Sequence, residues 1–140
     1  MSCYRVIQMT NSNLGANTIG SNLPFGTITR RVVQNGTFST DPATISINEC
    51  GNYDILYSIT GVASAAGIVT ITINSNATPA YSVSSTVAAG DTFNLTAPYQ
   101  VRVLPNCPSM PSNTPLDITV ALSGVGITGG SSNIIIERRY

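Results

Sequence analysis

The chain of 140 residues has no histidine, no lysine and no tryptophan, and only 9% of its residues are charged. The missing histidine excludes the commonest general acid–base group, and with it the Ser–His and Cys–His nucleophile pairs. The missing lysine excludes Schiff-base chemistry and the lysine of a P-loop. Any catalysis would therefore have to rest on carboxylates.

Six carboxylates are scattered along the chain: Asp41, Glu49, Asp54, Asp91, Asp117 and Glu137. A glycosidase-like reaction would need two of them facing one cleft. A calcium site built from turn oxygens around Asp91 stays open, but no calcium-loop motif supports it. Because single acids on turns and strands are the ordinary case, we interpret Asp41 and Asp91 as turn residues. We expect no enzyme activity, no cofactor and no metal site, and we rank a carboxylate- or metal-dependent enzyme last.

Charge is balanced as well as sparse, with six acidic and six basic residues. All six basic residues are arginines, including the doublets Arg30-Arg31 and Arg138-Arg139. Such doublets can hold phosphate, but in a neutral chain we interpret them as surface or intersubunit salt-bridge partners. Neither the charge balance nor the apolar runs, all shorter than 18 residues, indicates a nucleic-acid or membrane partner.

Cysteine is scarce. Cys3, Cys50 and Cys107 are widely spaced and form no CxxC pair, which excludes the usual zinc motifs. A disulfide between two of them stays open, although we favour free or buried thiols. The first residues lack the basic start and apolar core of a secretory signal, so we expect a chain that is not exported by that route.

Alternation of apolar and polar residues is the strongest pattern present. It runs through Tyr53, Ile55, Tyr57 and Ile59, and again through Val69, Ile71 and Ile73. Side chains of a strand alternate between faces, so each run predicts a strand with one buried face. Eight to ten such strands, with turn signals every 8–12 residues, predict a single all-β domain built as a sandwich or jelly roll.

Two segments fit this pattern less well. Residues 1–26 contain one short apolar stretch, with Tyr4, Val6, Ile7 and Met9, which is either a terminal strand docked on the domain or an arm that reaches a partner. Residues 105–115 hold four prolines and predict a surface loop.

The stretches GNYDILYSITG, VTITIN and AAGDTFNL carry a family resemblance. The positions concerned are Gly51, Tyr53, Tyr57, Asn74, Gly90, Asp91, Phe93 and Leu95, with the entry LPFG at Leu23 to Gly26. In these motifs the chain, over residues 17–140, resembles the tumour-necrosis-factor and complement-type globular heads, most of all their bacterial and phage members. The resemblance implies a ten-stranded jelly roll that assembles as a homotrimer.

In contrast to other members of the family, we expect no Gly-X-Y stalk and no leader or membrane anchor before the domain. The resemblance then implies a structural virion protein of a tailed bacteriophage: a head fibre or capsid-decorating protein, as in crAss-like phages. It would be made in the host cytoplasm and carried on the virion surface. Residues 1–16 would be an arm that docks on a capsid protein through Tyr4, Val6, Ile7 and Met9. A host-surface glycan as a further partner stays open.

The alternative is a bacterial spore-surface or cell-surface head that binds carbohydrate or protein. In either setting the trimer contact would use apolar area left after the sandwich core is filled. The residues predicted for that interface are Tyr53, Tyr57, Ile59, Ile134, Ile135 and Ile136.

Overall fold

Two antiparallel sheets of five strands stack face to face in the computed structural model, which describes residues 5–17, 19–32, 37–103 and 115–139. The ten strands in those residues are β1 (Arg5–Asn11), β2 (Thr27–Val32), β3 (Phe38–Asp41), β4 (Thr44–Ile47), β5 (Gly51–Ala63), β6 (Gly67–Ser75), β7 (Thr78–Val87), β8 (Thr92–Val103), β9 (Leu116–Ser123) and β10 (Ile127–Arg138). Sheet A has the order β2-β1-β10-β5-β8, and sheet B has the order β3-β4-β9-β6-β7. The predicted all-β architecture is confirmed. In the described part of the chain, no helix has the length and hydropathy needed to cross a membrane.

The core lies between the two sheets and follows the alternation of the sequence. On β5 the buried side chains are every second residue from Tyr53 to Ile59, and on β6 they are Val69, Ile71 and Ile73. Burying each such side chain contributes about 1.5–3 kcal/mol, so the inward faces supply most of the driving force for folding.

The β8 strand runs unbroken from Thr92 to Val103 and includes a proline, Pro98. The β8 strand lies at the edge of sheet A, where the N–H that proline lacks is not needed by a neighbouring strand.

The β10 strand begins at Ile127 and includes two adjacent glycines, Gly129 and Gly130. Gly130 has φ +155, and a Cβ on it would lie 2.2 Å from the main-chain oxygen of Thr60. Glycine at this position therefore allows β10 to pair closely with β5.

The first described residues form a strand of the domain itself. The β1 strand pairs with β10 on one side and β2 on the other, and Val6, Ile7 and Met9 are at most 3% exposed. Two interpretations were offered for this segment, and the structure agrees with the docked terminal strand. The predicted boundary at residue 16 therefore does not separate a free arm from the head, and these three side chains are not available to a capsid partner. Tyr4 lies outside the described residues.

Candidate assembly surface

The outward face of sheet A carries an apolar row at its centre. Ile135 on β10 pairs with Leu56 on β5, and Leu56 pairs with Pro98 on β8, so the three side chains point the same way. Leu56 is 41% exposed, although its chain neighbours Ile55 and Tyr57 are buried. We call Ile135, Leu56 and Pro98 the central row.

Polar side chains border the central row on the side where β1 ends. Asn133 lies opposite Thr10 on β1 and Ser58 on β5. The Asn133 Oδ1 atom accepts hydrogen bonds from Gln8 Nε2 at 2.9 Å and from Thr10 Oγ1 at 3.0 Å. These bonds fix the side chains across the two strands, so the polar groups that they join already have hydrogen-bond partners.

Charged side chains border the central row on the other side. Glu137 and Asp54 lie directly opposite each other, a like-charge pair that is unfavourable without a cation nearby. Arg139 supplies one cation, with its Nε atom 3.1 Å from Asp54 Oδ2. Asp54 Oδ1 is covered but accepts no hydrogen bond. Beside this pair, Gln100 and Arg102 line an open cavity of about 320 Å³.

The outward face of sheet B differs from that of sheet A in composition. Its hydroxyls pair across strands, with Thr70 Oγ1 2.7 Å from Ser84 Oγ and Thr72 Oγ1 2.9 Å from Ser82 Oγ. Small or hydroxyl side chains occupy the middle of β6, β7 and β9 on this face: Thr70, Thr72, Ser82, Ser84, Thr119, Ala121 and Ser123. Among the described residues, sheet B exposes Ile68 at the start of β6, whereas sheet A presents its large apolar side chains in the middle of its outward face.

A partly buried polar cluster closes the end of the sandwich where β1 and β5 begin. Arg138 Nη1 donates to Glu49 Oε1 at 2.7 Å, and Arg5 Nε lies 3.6 Å from the same oxygen. Thr37 Oγ1 donates to Glu49 Oε2 at 2.9 Å, and the Tyr53 hydroxyl donates to the Glu49 main-chain oxygen at 2.7 Å. The cluster thus connects β1, β10 and β5, and we interpret it as a device that fixes their relative positions.

The two core tyrosines of β5 have raised pKa values. Burial, and then the negative charge of Glu49, raise the pKa of Tyr53 to about 12, against a smaller opposing effect of Arg138 and Arg5. Burial raises the pKa of Tyr57 to about 12, although the nearby Ser132 hydroxyl acts in the opposite direction. The Tyr57 hydroxyl is close enough to Ser132 to be influenced by it, yet neither hydroxyl has a partner that meets the geometric limits of a hydrogen bond. Both phenols therefore remain protonated under ordinary conditions.

The structure separates the six residues predicted for the trimer interface. Tyr53, Tyr57, Ile59, Ile134 and Ile136 are at most 2% exposed, and all point into the core of the single chain. Direct contact with a second copy is therefore not available to these five side chains. Ile135 lies on the opposite side of β10, in the central row.

Sequence reasoning missed Leu56 and Pro98 as surface residues of interest. The sequence does contain a signal for Leu56. It is an apolar residue at a position where the alternation of the strand predicts a polar one, between the buried Ile55 and Tyr57.

Cys50 forms a disulfide, so the preferred interpretation of free or buried thiols is wrong for this residue. The sequence alone could not decide this, because spacing does not determine pairing. Cys3 and Cys107 lie outside the described residues, as does most of the predicted proline-rich loop.

The carboxylates do not converge on one site in the part of the chain that is described, where no three histidine, cysteine, aspartate or glutamate side chains form a group able to hold a metal. Asp41 Oδ1 accepts from the Ala43 amide at 3.1 Å, and Asp91 Oδ2 accepts from the Ala88 amide at 2.9 Å. Both therefore act in turns, as predicted.

No model of a known protein family matches the sequence, and no curated protein matches it. Solved structures do match the fold. The globular domain of a zebrafish complement 1qA protein is 9% identical, with a TM-score of 0.69 and 97% of each chain covered. Murine APRIL is 8% identical, with a TM-score of 0.70, 96% of this chain and 98% of that chain covered.

The PRD1 vertex protein P5 is 10% identical, with a TM-score of 0.62 and 96% of each chain covered. At these identities the likeness concerns the fold alone. The chain therefore has the jelly-roll fold of the tumour-necrosis-factor and complement-type heads, as the motifs around Gly51 and Asp91 predicted.

Proposed function

We propose that this protein is a non-enzymatic structural protein of a bacteriophage virion, a head fibre or capsid-decorating protein, and that it assembles as a homotrimer through the outward face of sheet A. The observation that carries the trimer is the central row, because it places Leu56 and Ile135 on an otherwise polar surface. Large apolar side chains at the middle of a sheet face are characteristic of the core of a subunit contact.

A threefold assembly requires two different surfaces on each copy, since a head-to-tail ring joins one patch to another. The second surface that fits is the edge formed by β7 and β8. The ten residues of β7 include no charged side chain, and most of them are exposed. The opposite edge, at β2 and β3, carries Arg30, Arg31 and Asp41. The β8 strand adds one charged residue, Arg102, so the edge formed by β7 and β8 is the less charged of the two and the better partner for the apolar face of the next copy.

The virion setting is supported by the likeness to PRD1 vertex protein P5, a phage structural protein. The Cys50 disulfide is compatible with a protein that persists outside the reducing cytoplasm of its host. Since β1 belongs to the sheet, a capsid contact would use the end of the sandwich at which β1 begins, rather than a separate arm.

Native mass spectrometry tests the trimer directly. We expect a trimer for the unmodified protein and a folded monomer for Leu56→Glu, because a buried unpaired carboxylate would oppose assembly. Thr72→Glu, which changes the outward face of sheet B in the same way, should remain trimeric. A monomeric unmodified protein, or equal behaviour of the two variants, would contradict the proposal.

Antibody labelling of purified particles tests the setting. Labelling of intact capsids by an antibody against the protein is expected. Labelling of spores or cell surfaces instead would favour the alternative, a surface head that binds carbohydrate or protein.

A further inference from the structure

A polar cavity of about 360 Å³ opens on the outward face of sheet B, away from the face proposed for assembly. Its lining side chains are all short, and they come from β4, β9, the turn between β6 and β7, and the segment before β2: Thr44, Asp117, Thr119, Asn76, Ala77 and Asn22. Short side chains have few rotamers, so a ligand that orders them costs little conformational entropy. The lining is therefore suited to hydrogen bonding at fixed positions.

Strand pairing brings these side chains together. Asp117 and Thr119 are two residues apart on β9, so they point the same way and lie about 6.6 Å apart. The register between β4 and β9 places Thr44 beside Thr119. Asn22 pairs with Ala121, the next outward residue of β9. The polar groups thus surround one small area of the sheet.

Asp117 is held in place by its neighbours, yet it keeps accepting capacity. Its Oδ1 atom accepts a hydrogen bond from Ser46 Oγ at 2.6 Å, and its amide donates to Asn76 Oδ1 at 2.8 Å. Within the described part of the chain, hydrogen bonds use neither Asp117 Oδ2 nor the side-chain nitrogen of Asn76. The site therefore presents a preorganised acceptor and a donor to a ligand.

The other polar side chains of the cavity are also available. Those of Asn22, Thr44 and Thr119 form no hydrogen bond with another described residue. An amide and a hydroxyl can each donate and accept. Together with Asp117, these groups offer both donors and acceptors around the cavity.

The charge of the cavity selects among ligand classes. Asp117 is the only charged side chain among the described residues that line it, so an anion would be repelled and would meet no arginine there. Calcium takes about 6–8 oxygen ligands, often from several carboxylates, and the described residues contain no group of three acidic, histidine or cysteine side chains able to hold a metal. A neutral ligand rich in hydroxyls suits the lining, because hydroxyls donate to carboxylate oxygens and accept from amide N–H groups.

We propose that this cavity binds a neutral sugar, with Asp117 Oδ2 accepting from one hydroxyl and the amides of Asn22 and Asn76 donating to others. Its volume of about 360 Å³ is near the lower end of the range of ligand cavities, roughly 300–1,000 Å³, which limits the ligand to about one sugar unit. The site lies within one chain, so it requires neither the trimer nor the virion setting. In the trimer proposed above, each copy would present one such cavity, and three together would strengthen attachment to a sugar-coated surface.

NMR titration of the isotope-labelled protein tests the site, with the methyl glycosides of glucose, galactose, mannose and N-acetylglucosamine as probes. We expect saturable shifts of the amide signals of Thr44, Asp117 and Thr119 for at least one probe, with a dissociation constant that is roughly millimolar for so small a ligand. Methyl glucuronide should bind more weakly than methyl glucoside, because Asp117 repels its carboxylate. Tighter binding of the glucuronide would contradict the neutral class of ligand.

Two variants locate the binding. Asp117→Asn keeps the shape of the side chain but removes its charge, and it should weaken binding at least about tenfold. Thr119→Val removes one hydroxyl and should weaken binding about fivefold. Thr70→Val makes the same change on the same face but outside the cavity, and it should bind as the unmodified protein does. Thermal unfolding checks that each variant retains its fold.

Three results would overturn the proposal: no saturable shift with any of the four sugars, binding that Asp117→Asn and Thr119→Val leave unchanged, or a response of the same amides to calcium chloride alone. The outcomes also separate this inference from the proposed function. A monomeric protein that binds a sugar here removes the trimer and leaves the sugar site standing. A trimer that binds none of the probes removes the sugar site and leaves the trimer.

Discussion

Tyr53 and Tyr57 lie on the same face of β5, both fully buried, yet only the Tyr53 hydroxyl has a hydrogen-bond partner. Each ring packs edge-on against a phenylalanine, Tyr53 against Phe38 at 6.0 Å and Tyr57 against Phe25 at 6.3 Å between centroids. The surroundings of the two rings are thus alike, and the two tyrosines differ in whether the hydroxyl has a hydrogen-bond partner.

This difference predicts opposite effects of removing the two hydroxyls. Tyr53→Phe should lower the free energy of unfolding by about 1 kcal/mol, because it leaves the Glu49 oxygen without its donor. Tyr57→Phe should leave stability unchanged or raise it, because its hydroxyl is buried without a partner. Urea unfolding of the two variants measures both values, and a larger loss for Tyr57→Phe would contradict the assignment.

The same tyrosines predict how stability depends on alkaline pH. Their pKa values are raised to about 12 in the folded chain, against about 10 when unfolded. Their contribution is therefore complete below pH 10 and is lost as pH rises towards 12. Each tyrosine should lower the free energy of unfolding by about 2–3 kcal/mol by the end of that pH range.

Absorbance of tyrosinate during alkaline titration follows this loss, and subtraction of the curve of Tyr57→Phe isolates the Tyr57 signal among the six tyrosines. Tyr57→Phe should flatten the decline of stability with pH. A decline of equal steepness in that variant would show that Tyr57 is not one of its causes.

The turn between β6 and β7 predicts a stabilising substitution. Asn76 and Ala77 both have positive φ, 50° and 64°, and for alanine this conformation is strained. Ala77→Gly should raise the free energy of unfolding by about 0.5–1 kcal/mol. Ala80→Gly, on the exposed part of β7, should lower it by a similar amount. Thermal unfolding of the two variants compares them under identical conditions.

Breaking the disulfide of Cys50 should destabilise the fold. Cys50→Ser is expected to lower the free energy of unfolding by about 2–4 kcal/mol under oxidising conditions. Whichever of Cys3→Ser and Cys107→Ser matches that loss identifies the partner. If reductant leaves the unfolding midpoint of the unmodified protein unchanged, the expectation fails.

Period-2 alternation was sufficient to predict the core, because a buried residue such as Ile71 differs sharply in polarity from its neighbours Thr70 and Thr72. Alternation was not sufficient to predict the assembly surface. It assigns Ile134, Ile135 and Ile136 no preferred face, and the register with β5 decides that Ile135 points outward.

Other features depend on contacts between distant parts of the chain. Glycine at position 130 signals a link in sequence, whereas in space it permits two strands to approach. Val6 and Met9 read equally well as an arm or a strand, and only the partner strand β10, more than a hundred residues later, decides between them.

The pairing of β1 with β10 places Arg5 directly opposite Arg138. The two ends of the described chain therefore leave the head side by side, at one end of the sandwich. A short linker could join them, and new termini could be opened in the exposed loop at residues 64–66 at the opposite end without cutting any strand. Cargo fused to the new termini of such a permuted chain would lie at the opposite end of the head. The molecule could therefore display cargo from either end of the sandwich.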